Sequence, residues 1–381
     1  MTSIYRTIRI SGTRSERSRQ YGELARTEIH ATRAGYERAF ASAGVSWAEA
    51  RAYARGFLPS IEAHLPEILV EIRGIAEGSG LEVDDVLALN CRTEILHRAT
   101  VAGARPALAR AGECTSVAVE ADRSASGRSF VAQNWDWLEY LQPGTIILQV
   151  ERPDGPNYVS VVEAGLLAKV CLTASGIALG VNTLVSSLDG PDSGVPFHFA
   201  IRAVLDAPNI AGAVETLAAI PRASSGNYIL GHASGAVLNV EASPGGPANL
   251  SVQVSTSGHL VHANHFLDPV AGGHDLAAVA MSDSFVRYGR VQRALSEHRG
   301  LLDDDAVTRA LSDHAEHPNS VCCHPDLNAE ASKRWKTLAS VILDPRAGCL
   351  SLAAGPPCES SWSQHDFSIF LRPREGKITI R

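Results

Sequence analysis

Cys114, Thr115 and Ser116 stand together where the character of the chain changes. The stretch before them, 99-ATVAGARPALARAGE-113, is small, flexible and interrupted by proline, the composition of an exposed, cleavable linker. A thiol at such a border has one obvious chemistry, since an ionised cysteine is a strong nucleophile. Downstream, 131-VAQNWDW-137 sets Asp136 between Trp135 and Trp137, in a strand expected to pair beside the one that begins at Cys114. A buried carboxylate needs a cationic or N–H partner, or it takes up a proton. A free α-amino group on residue 114 would be such a partner. The plainer reading is that a cysteine at a strand start is buried filling, with Trp135 and Trp137 as packing residues beside the aspartate.

These residues need a scaffold, and the chain divides into two kinds of text. Up to about residue 110 it is helical, with apolar residues at helical spacing over 20–44, 59–80 and 83–96. The second of these stops at Gly78-Ser79-Gly80, as a helix end should. From Cys114 the period changes to two. Strands are expected from 114, 128, 145, 157, 167 and 177, then as a hairpin over 226–243 and at 259–266. The chain closes with strands at 336–345, 348–355 and 367–373. Helices are expected around 197–206, 209–220 and 282–300. Strands and helices come in blocks, so the fold class is α+β, with antiparallel sheets carrying helices on their outer faces.

Composition narrows the function. The 381 residues are 45% hydrophobic and 20% charged, enough for a large core. A formal charge of −7 argues against a nucleic-acid partner, because phosphate binding needs a basic face. The first residues show no signal peptide or anchor, and no run approaches a membrane span, so a cytoplasmic location with no membrane partner is expected. The seven cysteines (Cys91, Cys114, Cys171, Cys322, Cys323, Cys349 and Cys358) are then reduced thiols.

Two histidine groupings invite a metal. His259, His262 and His265 lie on a strand, where a spacing of three does not share a face. The stretch 313-DHAEHPNSVCCH-324 has zinc-like ligand types but no Cys-x-x-Cys spacing, and adjacent cysteines rarely bind one ion. It reads as a polar loop ending near the active site, and no metal is expected.

Five short stretches, taken in order, resemble one family. They are Cys114-Thr115, Gln133-Asn134-Trp135-Asp136, 176-GIALGVN-182, Ala263-Asn264-His265 and 284-SFVRY-288. The chain resembles the acyl-CoA:6-aminopenicillanic acid acyltransferases, N-terminal-nucleophile (Ntn) hydrolases with penicillin V acylases and bile-salt hydrolases as more distant relatives. The resemblance implies a four-layer αββα sandwich made by self-cleavage between Glu113 and Cys114. Residues 1–113 would be a helical propeptide or small subunit, retained as a non-covalent fragment, and 114–381 the catalytic core. The α-amine of Cys114, with an ordinary pKa of about 7.7–8.0, would serve as base for its own thiol.

By the same resemblance Asp136 would hold and orient the α-amino group. Asn264 would donate its side-chain N–H to the oxyanion, Asn182 would add a second donor, and Arg287 would support ionisation of the thiol. Gln133, Trp135 and Trp137 would meet the substrate. The implied activity is amide hydrolysis or N-acyl transfer on a small molecule, with no cofactor and acyl-CoA only as a substrate. Two positions depart from the relatives. Gln133 stands where bile-salt hydrolases have arginine, and Glu113 stands where the acyltransferase has glycine. The Glu113 departure favours an alternative, an uncleaved and non-catalytic ligand-binding member of the fold.

Overall fold

The computed structural model describes residues 5–101, 114–190 and 194–372. Glu113 and the bond before Cys114 lie outside the described residues.

The N-terminal part is β1 (Arg6–Ile10), α1 (Arg14–Leu24), α2 (Arg26–Ser42), α3 (Trp47–Arg55), α4 (Leu58–His64), α5 (Pro66–Ser79), α6 (Val83–Asn90) and α7 (Arg92–Val101). Then come β2 (Cys114–Val119), β3 (Phe130–Leu138), β4 (Thr145–Val150), β5 (Tyr158–Glu163), β6 (Val170–Thr173) and β7 (Ile177–Thr183). Helices α8 (Phe197–Val204) and α9 (Ile210–Ala219) precede β8 (Gly226–His232), β9 (Val237–Ala242), β10 (Leu250–Val254) and β11 (His259–His262). The chain continues with α10 (Ala277–Ala280), α11 (Asp283–Glu297), α12 (Asp304–Leu311), β12 (Trp335–Asp344), β13 (Cys349–Ala353) and β14 (Trp362–Asp366).

The strands form two sheets. One has the order β1-β4-β5-β6-β7-β8-β9-β10, the other β11-β2-β3-β12-β13-β14. Every pairing is antiparallel except that of β1 with β4. The sheets face each other across the strands β2 and β3 on one side and β7 and β8 on the other. On the outer face of the smaller sheet, Val117, Val119, Phe130, Ala132 and Ile342 pack with Val291 and Leu295 of α11 and Val307 of α12. The larger sheet is covered by α1 and α2 at one end and by α9 over β8 and β9, with Phe197 of α8 against Tyr228 of β8. The result is the expected α+β fold, layered helix, sheet, sheet, helix.

Gln133 ties the sheets together. Its side chain points from β3 into the other sheet, where Nε2 donates to the Val181 carbonyl (2.8 Å) and Oε1 accepts the Val181 N–H (2.9 Å). It thus bonds as a neighbouring strand would. Gly180 makes room for it, since a Cβ there would lie 2.8 Å from Gln133 Oε1.

Among the strands, the structure differs from the sequence reading at three, and helices α3, α10 and α12 are absent from that reading. The helical preface carries a strand, β1, with Ile8 and Ile10 buried and Arg9 exposed between them. Strand β10 on the edge of the larger sheet was not expected, because its side chains are half-exposed and mix apolar with polar types. The last strand is Trp362–Asp366, not 367–373; Phe367 onward is a turn in which Phe367 and Leu371 are buried and Ile369 is exposed. No helix of the described residues is long and apolar enough to cross a membrane.

Candidate active site

Cys114 is the first residue of β2, directly opposite Trp135 of β3 and almost wholly buried. Its backbone is gripped on both sides. The Cys114 N–H donates to Asn264 Oδ1 (2.8 Å), and its carbonyl accepts from Asn182 Nδ2 (3.0 Å) and Arg287 Nη1 (3.0 Å). These three residues come from β7, the turn after β11, and α11, so the two sheets and an outer helix converge on one residue.

Arg287 is the hub of this grip. Nη1 also donates to Thr115 Oγ1 (3.0 Å), Nη2 to Asn264 Oδ1 (2.9 Å) and Nε to Asp283 Oδ2 (2.9 Å). It is buried, so the surface ion pair that a helical arginine often makes does not describe it.

Asn264 meets Cys114 differently from the expectation. Two donors, the Cys114 N–H and Arg287, draw its amide oxygen toward the cysteine. One N–H of its NH2 group goes to the Thr183 carbonyl at 2.8 Å. Asn182 keeps the donor role toward Cys114, and its own oxygen is fixed by Ser116 Oγ (2.8 Å) and Asn227 Nδ2 (3.1 Å).

Asp136 lies one residue beyond Trp135 and is fully buried, with Oδ1 accepting from Thr337 Oγ1 at 2.5 Å. Thr337 is its cross-strand partner on β12 and in turn accepts the Cys323 N–H (3.1 Å). Gln133, expected to meet substrate, spends both ends of its amide on Val181 and is closed off from solvent. Trp135 and Trp137 are buried with it, Trp137 edge-on to Trp335.

One functional group went unread in the sequence. Lys169 is buried, with Nζ 3.9 Å above the Trp135 ring and 5.7 Å from that of Trp137. Its signal was visible as the single charge in the apolar run 166-LLAKVCL-172. Behind it, Glu163 pairs with Arg92 (3.4 Å) and accepts from Tyr36 Oη (2.5 Å), while Arg92 stacks 4.4 Å over Trp137. Tyr36 and Arg92 belong to α2 and α7, so the N-terminal segment reaches the charges beneath Cys114.

The electrostatics oppose one another. Burial pushes the Cys114 thiol up, and Asp136 adds to this; Lys169 and Arg287, and a hydrogen bond from the Asp136 backbone, pull it down. Burial, with Arg92 adding, pushes Lys169 down to about 7 against the pull of Glu163, Cys114 and Asp136. Lys169 therefore carries its charge below about pH 7 and loses it above. Lys169→Met is expected to slow alkylation of Cys114 most below neutral pH, with the gap to the native protein closing as pH rises. Rates of labelling by a small alkylating reagent across pH check this, and a gap that is constant or widens with pH would remove Lys169 from the site's electrostatics.

The three histidines of 259–265 have separate partners. His262 Nε2 bonds Glu241 Oε1 (2.8 Å), His265 Nδ1 bonds Ser284 Oγ (2.8 Å), and His259 lies 3.4 Å from Gln292 Nε2.

Comparison with known proteins adds to this geometry. The profile of a family described as acyl-coenzyme A:6-aminopenicillanic acid acyl-transferase matches residues 123–359, beginning just after Cys114. The chain is 29% identical over 284 residues to the acyl-coenzyme A:6-aminopenicillanic-acid-acyltransferase 40 kDa form of Emericella nidulans, covering 73% of this chain and 72% of that protein. Among solved structures, a variant of the conjugated bile acid hydrolase from Clostridium perfringens is similar at 13% identity and a TM-score of 0.47, over 67% of this chain and 93% of that one. A penicillin V acylase from Agrobacterium tumefaciens is similar at 13% identity and a TM-score of 0.41, over 69% and 89%.

Proposed function

The chain belongs to the acyl-coenzyme A:6-aminopenicillanic acid acyl-transferase family, and from that premise we propose a self-processing cysteine enzyme that moves an acyl group through a thioester on Cys114. The observation that carries this reading is the double grip on the Cys114 backbone, by Asn264 at its nitrogen and by Asn182 and Arg287 at its carbonyl. A filler cysteine has no need of three converging buried polar side chains.

In processing, the Cys114 thiol loses its proton and its sulfur attacks the Glu113 carbonyl carbon. The C–N bond breaks, the Cys114 nitrogen takes up the proton as an amine, and a thioester links Glu113 to the sulfur. Water then cleaves the thioester, leaving a Glu113 carboxylate and a free thiol. The new α-amine keeps Asn264 Oδ1 as acceptor, with Asp136 close by. It takes the thiol proton when a substrate enters, and the thiolate attacks the substrate's acyl carbon. Asn182 offers an N–H beside the developing oxyanion, where a single donor is worth roughly 10²–10³ in rate. The leaving amine departs with the proton held by the α-amine. The acyl-thioenzyme is opened by water, giving hydrolysis, or by a second amine, giving transfer. The substrate class is a small-molecule amide or acyl thioester, in keeping with the names of the relatives.

Denaturing electrophoresis with N-terminal sequencing tests the reading. Two polypeptides are expected, one of 113 residues and one holding the remaining 268 of the 381, the larger starting at Cys114. Incubation with N-acyl amines should then add one acyl mass to the larger. A single full-length chain that acquires no acyl group would leave the uncleaved ligand-binding member standing instead.

A further inference from the structure

We propose that His314, Cys322, His324 and Cys358 form a structural zinc site. Their ligand atoms all lie within 4.8 Å of one another; three come from the loop between α12 and β12, and the fourth from the connection after β13. Three close separations converge on a single atom, His324 Nε2: His314 Nε2 at 3.2 Å, Cys358 Sγ at 3.3 Å and Cys322 Sγ at 3.4 Å. The two sulfurs are 3.5 Å apart.

Hydrogen bonding does not account for this convergence. An imidazole nitrogen carries either one proton or one lone pair, so it cannot serve three partners at once. A cation at the centre accounts for it directly. Tetrahedral zinc with bonds of about 2.0–2.3 Å has ligand–ligand edges of roughly 3.3–3.8 Å; the four separations of 3.2–3.5 Å lie at the lower end of that span, and the remaining two stay within 4.8 Å. The ligand set also selects the ion, because two thiolates with two imidazoles in tetrahedral array suit zinc. On binding, both thiols release their protons to solvent, and the two thiolates neutralise the dication. Outside the set, Glu359 Oε1 lies 3.9 Å from His324 Nδ1, where the outer nitrogen of a ligating histidine commonly finds a carboxylate.

This revises the expectation that 313–324 holds no metal. The adjacency of Cys322 and Cys323 counted against a site, but the two face opposite ways. Cys322 joins the cluster, while Cys323 is buried in the main core. The fourth ligand, Cys358, lies far along the chain, so no local spacing could show it. Four protein ligands leave no open position, which makes the ion structural and not catalytic. It would fasten the loop that supports Asp136: Cys323 N–H bonds Thr337, which bonds Asp136, and Asn134 Nδ2 donates to the carbonyls of Leu311, where the loop leaves α12, and of Val321, beside Cys322.

The test is metal analysis of untagged, full-length protein purified under reducing conditions, with added zinc and with cobalt as a spectroscopic probe. One zinc per chain is expected, with cobalt giving the intense visible bands of a tetrahedral thiolate site. Cys358→Ser and His314→Ala, both at exposed positions, should each lose that zinc while keeping the native circular dichroism. Stripping zinc from the native protein with a strong chelator should lower its thermal midpoint, a shift absent in the two variants. Absence of stoichiometric metal in the native protein would overturn the proposal, as would variants that both keep the native protein's metal content. So would a Cys322–Cys358 disulfide that, once reduced, takes up no zinc. None of these readouts needs a substrate, so the site stands or falls apart from the acyl-transfer reading.

Discussion

Cys114→Ala is expected to yield a single 381-residue polypeptide and to reduce acyl release from any responsive N-acyl substrate by roughly 10⁴–10⁶-fold. The size of the effect follows from the absence of a substitute. Among the described residues the buried thiols Cys171, Cys322 and Cys323 are closed off from solvent; burial raises Cys171 to about 12 and pushes Cys322 up as well. Alanine keeps the backbone N–H and carbonyl that Asn264, Asn182 and Arg287 hold, so the fold around residue 114 should survive. The comparison therefore isolates the sulfur. Gel electrophoresis and an acyl-release assay on the purified variant suffice, and a variant that still divides into two fragments would mean that another group makes the cut.

Arg287→Leu should cost about 3–5 kcal/mol of stability, because it strands Asp283 and leaves the Cys114 carbonyl and Asn264 oxygen short of a buried donor. Activity should fall with it, by roughly 10²–10³-fold, through loss of the position of Cys114. The informative variant is Arg287→Lys. Lysine keeps the charge but has no planar fork, and here the three guanidinium nitrogens reach four different acceptors. Lysine should recover part of the stability measured by urea unfolding and little of the activity. If it restores both in full, charge alone matters and the grip on Cys114 does not.

Much of the architecture was legible because period and composition change together at residue 114. The elements that escaped show why others were not. Strand β1 is five residues set against a helical background, and its pairing with β4 spans more than a hundred residues of sequence. Strand β10 is an edge strand, whose half-exposed faces carry little periodicity. At the site, the types and approximate places of Cys114, Asp136, Asn182, Asn264 and Arg287 were readable from motifs; the structure sets Asn182, Asn264 and Arg287 on the Cys114 backbone and ties the Asp136 carboxylate to Thr337. Their orientations were not. Which end of an amide faces a cysteine depends on donors elsewhere in the fold, as Arg287 decides for Asn264. Gln133 shows the same limit: a polar residue in a motif looks like a substrate contact, and only the opposing sheet reveals that it bonds Val181. Lys169 was visible only as an odd charge in an apolar run, with no motif to lend it meaning.

Strand β1 and the pair Tyr36 and Arg92 have one more consequence. A break before Cys114 would turn an intramolecular edge strand and a buried ion pair into an interface between two separate polypeptides. Unfolding would then release two molecules and refolding would become a second-order encounter, slowed by dilution. The mature protein would persist by the slowness of its unfolding more than by its capacity to reassemble. Each molecule would have one opportunity to fold, spent before the cut.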